Sequence, residues 1–163
     1  KKRKKYMFKI NKVQAHCDIP CKVYDPSIIQ YSTLSIVRFL DIINSEIKDS
    51  NMNMSQTAQL SRLVSVKEQH AKEVKTEVAT IWGDYFKEPQ IIKFPEIHSI
   101  VHLIMQLASK CKQDLDRNNG VELLKQVNKF TEIFWATKDV KTEKFYAPYP
   151  PELVIVCPIL KSV

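Results

Sequence analysis

The sequence predicts an all-α protein, an up-down four-helix bundle preceded by an N-terminal metal-binding hook. Three observations predict the bundle. Four stretches repeat apolar residues at steps of three and four, which places them on one face of a helix. Only two glycines, Gly83 and Gly120, occur in 163 residues, and long stretches lack proline, a composition that favours helix over sheet. The segments between the stripes are short, so successive helices run antiparallel. A chain of 163 residues is one domain with enough length for a real core.

Asp25-Pro26 marks the first helix start, a carboxylate to cap free N–H groups followed by proline at the first helical position. Ile28, Ile29, Ile36, Val37, Phe39, Leu40, Ile43 and Ile47 then carry a helix over about 26–48. Asp49 to Ser55 is a polar loop. The second helix, about 56–85, presents Leu60, Leu63, Val64, Ala71, Val74, Val78, Ile81 and Trp82, with one gap around Lys67. Pro89 and Pro95 bracket a loop, and a third helix over about 96–114 carries Ile97, Ile100, Val101, Ile104, Leu107, Ala108 and Cys111. Asn118-Asn119-Gly120 reads as a turn before a fourth helix over 121–138 with Leu123, Leu124, Val127, Phe130, Ile133 and Phe134. Tyr146 to Pro151 cannot continue a helix, and the apolar, β-prone run Leu153 to Leu160 is expected to pack on the bundle or on a neighbour.

The net charge of +7 is confined to residues 1–15, which hold seven basic residues and no acid. The remainder is neutral, so no nucleic-acid partner is expected. No apolar run approaches the roughly 20 residues that span a bilayer, and the leader lacks the apolar centre of a secretory signal. A cytoplasmic protein is expected, with organellar targeting by the basic leader left open. Cys111 falls in a helical stripe and Cys157 in the tail, which points to a reducing compartment rather than a disulfide framework.

The chemistry concentrates in His16-Cys17-Asp18-Ile19-Pro20-Cys21-Lys22-Val23-Tyr24. Two thiolates on either side of a rigid proline suit soft metals: zinc, copper(I), an iron–sulfur cluster or a thiophilic nickel. Half a zinc site and a redox disulfide fit the cysteine spacing as well. His16 lies directly against Cys17, and adjacent side chains rarely share one ion. The pairing makes sense if backbone atoms are also ligands. A cut before His16 would free an amine that joins the Cys17 amide nitrogen and two sulfurs in a planar N2S2 set, with the imidazole above it. His98 and His102, four apart on one helix face, have no acidic or thiol neighbour and read as solvated or core histidines; Cys111 reads as a small core residue.

The nine-residue segment resembles the nickel hook of the nickel-dependent superoxide dismutases, His-Cys-x-x-Pro-Cys-Gly-x-Tyr. Trp82-Gly83-Asp84-Tyr85-Phe86-Lys87 with Phe94-Pro95-Glu96-Ile97-His98, and Ile133-Phe134-Trp135-Ala136-Thr137-Lys138, extend the resemblance in order along the chain. It implies conversion of superoxide to dioxygen and hydrogen peroxide by Ni(II)/Ni(III) cycling, with one nickel ion per chain. It implies His16, Cys17 and Cys21 as metal ligands, and Tyr24, Asp18 and Tyr85 around the approach to the metal, with Tyr85 close to Tyr24. It divides the chain into a prosegment 1–15, a dismutase domain 16–138 and an extension 139–163, and implies a processing protease that cuts before His16. Assembly into a homohexamer with the hooks inside follows from the same resemblance. The alternative is a non-catalytic thiolate metal-binding or interaction bundle. Three positions depart from the family: Lys22 replaces the hook glycine, His70 stands where an arginine holds the axial imidazole, and Ser32 stands where a glutamate supports it.

Overall fold

A computed structural model of the chain describes residues 22–46 and 52–161. Four long helices, α1 (Ser27–Glu46), α2 (Met54–Thr80), α4 (Ile97–Gln113) and α5 (Arg117–Ala136), enclose one core, with the short α3 (Glu88–Lys93) between α2 and α4. Packing is cyclic: α1 lies against α2 and α5, and α4 against α2 and α5. Ile29, Ile36, Leu40, Val74, Val78, Ile97, Ile104, Leu123, Val127, Phe130 and Phe134 fill the centre.

Local chemistry explains where the helices begin. Asp25 accepts the Ser27 N–H at 2.8 Å, which caps α1 behind Pro26. Asn53 and Gln56 form a reciprocal capping box at the head of α2, with both bonds at 2.9 Å. Asp116 accepts the Asn118 N–H at 2.9 Å. The cap of α5 thus falls ahead of Asn118-Asn119-Gly120, and the expected turn is instead the first turn of the helix. The glycine serves packing there, since a Cβ on Gly120 would lie 2.8 Å from Val37 Cγ2 and 3.4 Å from Leu40 Cδ1. Pro89 and Pro95 do not bracket a loop. Pro89 sits in the opening turn of α3, where its missing N–H costs nothing.

The gap at Lys67 in the second stripe is filled by Lys67 itself, only 1% exposed. Its ammonium donates to the carbonyls of Lys112 at 3.2 Å and Asp114 at 2.9 Å, closing the C-terminal end of α4. This satisfies carbonyls that have no partner within the helix and sets a cation at the negative end of its dipole.

The fold is not purely helical. The C-terminal extension forms β1 (Thr142–Tyr146) and β2 (Val154–Pro158), an antiparallel pair with Lys144 opposite Val156. β2 is held to the helices by side-chain amides that stand in for a neighbouring strand. Gln30 donates to the Val156 carbonyl at 2.9 Å and accepts its N–H at 2.8 Å, and Asn128 donates to the Val154 carbonyl at 2.8 Å. Leu34 and Leu124 are covered by Ala147, Leu153 and Ile155. That cover explains why α1 buries Gln30, Thr33 and Leu34 as well as its inner stripe.

The two glycines should respond oppositely to alanine. Gly83 has nothing within 4 Å of a built Cβ, so Gly83→Ala is expected to stabilise by about 0.5–1 kcal/mol through helix propensity. Gly120→Ala should destabilise by about 1–2 kcal/mol, because Val37 is β-branched and yields little. Urea unfolding of both variants checks this; a stabilised Gly120→Ala would show that α1 and α5 are not in close approach.

Candidate metal centre

His16, Cys17, Asp18 and Cys21 lie outside the described residues. What is described is the frame to which their segment attaches. Lys22, the next residue, has φ +59°. This is the left-handed region that glycine enters freely and lysine only at a cost of order 1–2 kcal/mol. Lys22, where the sequence departs from the hook glycine, thus adopts a conformation that glycine enters freely.

Two residues further on, the Tyr24 ring meets Tyr85 with centroids 5.8 Å apart and planes at 53°. Tyr85 is brought there by a change of helical pitch. After Thr80, residues Ile81–Tyr85 form a π turn, and the Phe86 N–H reaches back to the Ile81 carbonyl at 3.3 Å. Such turns absorb an extra residue and occur often at functional sites. Here the turn lets both Tyr85 and its buried neighbour Phe86 face inward. Tyr85 lies 4.9 Å from Phe134 and 5.4 Å from Phe86, centroid to centroid. Its hydroxyl lies 2.6 Å from Thr137 Oγ1, and the Lys138 ammonium stands 4.6 Å from its ring centroid.

Ser32 and His70, two of the departures from the family pattern, converge on one carboxylate. Ser32 Oγ, fully buried, donates to Glu73 Oε2 at 2.6 Å, and His70 Nδ1 lies 3.2 Å from the same oxygen. The His70 ring is further held by Phe39, stacked at 5.8 Å, and by the edge of Tyr31 at 6.3 Å. Glu73 was not singled out from the sequence; its place one helical turn beyond His70 is the available signal.

The other candidates have ordinary surroundings. Trp82 Nε1 donates to His98 Nδ1 at 3.1 Å, and His102 is exposed. Among the described residues no group of three or more His, Cys, Asp or Glu side chains could hold a metal ion. Cys111 is fully buried, and burial above all pushes its thiol up to about 11, with Lys67 opposing and Asp114 and Asp116 adding to the rise. A thiol held neutral in this way is a core residue, not a nucleophile. No described helix is long and apolar enough to cross a membrane.

A mainly helical body with an aromatic pair at the root of a thiol- and imidazole-bearing segment is the frame of a small helical metalloprotein. A sequence profile of the nickel-containing superoxide dismutases matches residues 11–138. The nickel superoxide dismutase of Streptomyces coelicolor is 33% identical over 126 residues, 77% of this chain and 90% of that one. That of Streptomyces seoulensis is 32% identical over 127 residues, covering 78% and 91%. The native crystal structure of a nickel superoxide dismutase superposes with TM-score 0.66 and 32% identity, over 76% of this chain and 99% of the other. A structure with nickel ligation corresponding to the oxidised state gives TM-score 0.66 and 30% identity, over 76% and 99%. The chain belongs to the nickel-containing superoxide dismutase family. It is a superoxide dismutase, and its cofactor is nickel. The donor set fits that metal: two thiols and an imidazole within six residues suit a thiophilic ion, and anionic sulfur favours its higher oxidation state.

Proposed function

We propose that this dismutase works through a hook, His16 to Tyr24, in an up-down bundle of α1, α2, α4 and α5, and that cleavage before His16 activates it. The observation that carries the reading is the seating of Tyr24 on Tyr85 at 5.8 Å, which ties the end of the hook segment to the π turn. The His16 amine and imidazole, the Cys17 amide nitrogen and thiolate and the Cys21 thiolate would hold the ion. Nickel bound there supplies a one-electron couple, Ni(II)/Ni(III), that alternately oxidises and reduces superoxide. Tyr24 and Tyr85 narrow the approach, where the Tyr24 hydroxyl holds small anions and water by hydrogen bonds, and Asp18 stands within the hook beside them. Glu73, held by Ser32 and His70, is the carboxylate that would stand in for the family's supporting glutamate.

Homo-oligomerisation, with a hexamer as the expected form, a processing protease and a cytoplasmic site of action belong to the same reading. Metal analysis tests it: protein beginning at His16 should hold about one nickel per chain and dismutate superoxide. Stoichiometric zinc without activity would favour the non-catalytic bundle. Glu73→Ala should keep nickel and lower activity about tenfold or more; an unchanged rate would remove Glu73 from the site.

Lys22→Gly offers a separate check. It should relax the left-handed residue without loss of nickel, and it should weaken the dependence of rate on ionic strength, because a positive charge beside the approach is gone. Nickel binding that appears only in Lys22→Gly would mean that the natural hook is defective.

A further inference from the structure

We propose that a cavity between α1, the end of α5 and the C-terminal extension binds a small organic cation, an ammonium carrying methyl groups. Its volume is about 350 Å³, within the range of small-ligand sites. Tyr31 comes from α1, Trp135 from α5 and Tyr149 from the extension, so three separate parts of the chain each bring an aromatic ring to one hollow. The extension lies beyond residues 11–138, the stretch that matches the family. The site therefore depends on a segment outside that match, and it needs neither nickel nor the hook.

The lining fixes the sign of the ligand. Asp25 is the one charged side chain among the described residues that line the cavity, and no lysine, arginine or histidine stands with it. Asp25 Oδ1 accepts the Ser27 N–H at 2.8 Å, and Oδ2 has no hydrogen-bond partner among the described residues. The full charge of the carboxylate outweighs the roughly half positive charge at the start of α1. An anion is thus disfavoured and a cation is drawn in. Gln30 has nothing to offer a ligand, because Val156 takes both ends of its amide.

The walls choose among cations. A primary ammonium is strongly hydrated and would exchange its water for the apolar side chains of Leu34, Ile155 and Val156. A methylated ammonium holds water weakly and sets its methyl groups against aromatic rings, which is how aromatic cages hold quaternary ammonium ligands. The rings are available for this. Among the described residues Tyr31 meets only the His70 ring, at 6.3 Å, and Trp135 only that of Phe134, at 5.1 Å. Tyr31 and Tyr149 are 59% and 43% exposed, so a bound cation would cover ring surface that now faces water.

The test uses the full chain, with choline as the probe. Trp135 is one of two tryptophans, so Trp82→Phe assigns its indole N–H signal in nitrogen-15 NMR spectra. Choline should shift the Trp135 signal saturably and leave that of Trp82 in place. Its neutral isostere, with a tert-butyl group in place of the trimethylammonium, should bind about tenfold more weakly. Asp25→Asn keeps the helix cap; it should weaken choline binding about threefold to tenfold and leave the isostere unchanged. Tyr149→Leu should weaken choline by a similar factor through loss of one ring. Sedimentation with phosphatidylcholine vesicles separates two sources of the same ammonium: protein carried down places it on a lipid headgroup, and protein left behind makes it a free solute. A Trp135 signal that choline does not move would overturn the proposal, as would equal affinity for choline and its isostere. An Asp25→Asn chain that binds choline as tightly as the parent would overturn it too.

Discussion

Protein that keeps residues 1–15 is expected to bind nickel more than about a hundredfold more weakly than protein beginning at His16, and to show no measurable dismutase activity. In the uncleaved chain the His16 nitrogen is an amide joined to Ala15. An amine of pKa near 8 is freed at neutral pH, whereas an amide must lose a strongly held proton before it can ligate. The seven positive charges of the leader add repulsion against Ni(II). Two preparations that differ only in those fifteen residues, compared by metal titration and superoxide consumption, decide the matter. Amino-terminal sequencing of naturally processed protein should read His16 first. Full activity with the leader attached would exclude the terminal amine as a ligand.

The largest expected loss of stability comes from Lys67→Ala, about 3–5 kcal/mol in urea unfolding at pH 7. The substitution empties a buried site and strips the carbonyls of Lys112 and Asp114 of their donor. Lys67→Met, which keeps the volume and loses only the hydrogen bonds, should cost about 1–3 kcal/mol. Equal costs would mean that packing alone matters at this position.

The same residue shapes the alkaline limb of stability. Burial lowers the Lys67 pKa from 10.5, against the opposing pull of Glu68, Cys111 and Asp114. Between that lowered value and 10.5 the unfolded chain binds more protons, so the Lys67 contribution rises with pH. Cys111 runs the other way. Its folded pKa of about 11 exceeds the ordinary thiol value of 9.0, so the unfolded chain loses the proton first and stability falls between those two values. Cys111→Ala should therefore remove a decline between pH 9 and 11, visible in unfolding midpoints; an unchanged decline would place its origin elsewhere.

The helical frame was legible in the sequence because steps of three and four recur in each long helix. The Asp25-Pro26 start was legible because capping acts over two residues. Elements were missed where long-range contacts decide. Asn118-Asn119-Gly120 looks like a turn until Val37 is known to press on Gly120. The gap at Lys67 looks polar until the end of α4 is placed above it. The extension was read as apolar and β-prone, but the pairing of β1 with β2 and the clasp by Gln30 and Asn128 depend on residues more than a hundred positions apart in one case. At the candidate site, Tyr24 and Tyr85 were recognisable because they stand inside motifs. Glu73 was not, since a carboxylate on an exposed helix turn shows nothing of the buried serine beneath it. Thr137 and Lys138 stood inside a matched motif, yet their relation to Tyr85 needs the geometry.

The π turn divides α2 and its continuation into two angular phases. Upstream, Ala71, Val74 and Val78 keep one bearing toward the core; downstream, Tyr85 and Phe86 keep another. Each residue of an α-helix advances the bearing by about 100°, but the π turn has already taken up one extra residue. A single deletion at Trp82, Gly83 or Asp84 would therefore return the segment to α pitch with Tyr85 and Phe86 close to their present bearings, and only a second deletion would swing them away. The segment thus holds one residue in reserve, which can be lost without disturbing either the upstream scaffold or the contact of Tyr85 with Tyr24.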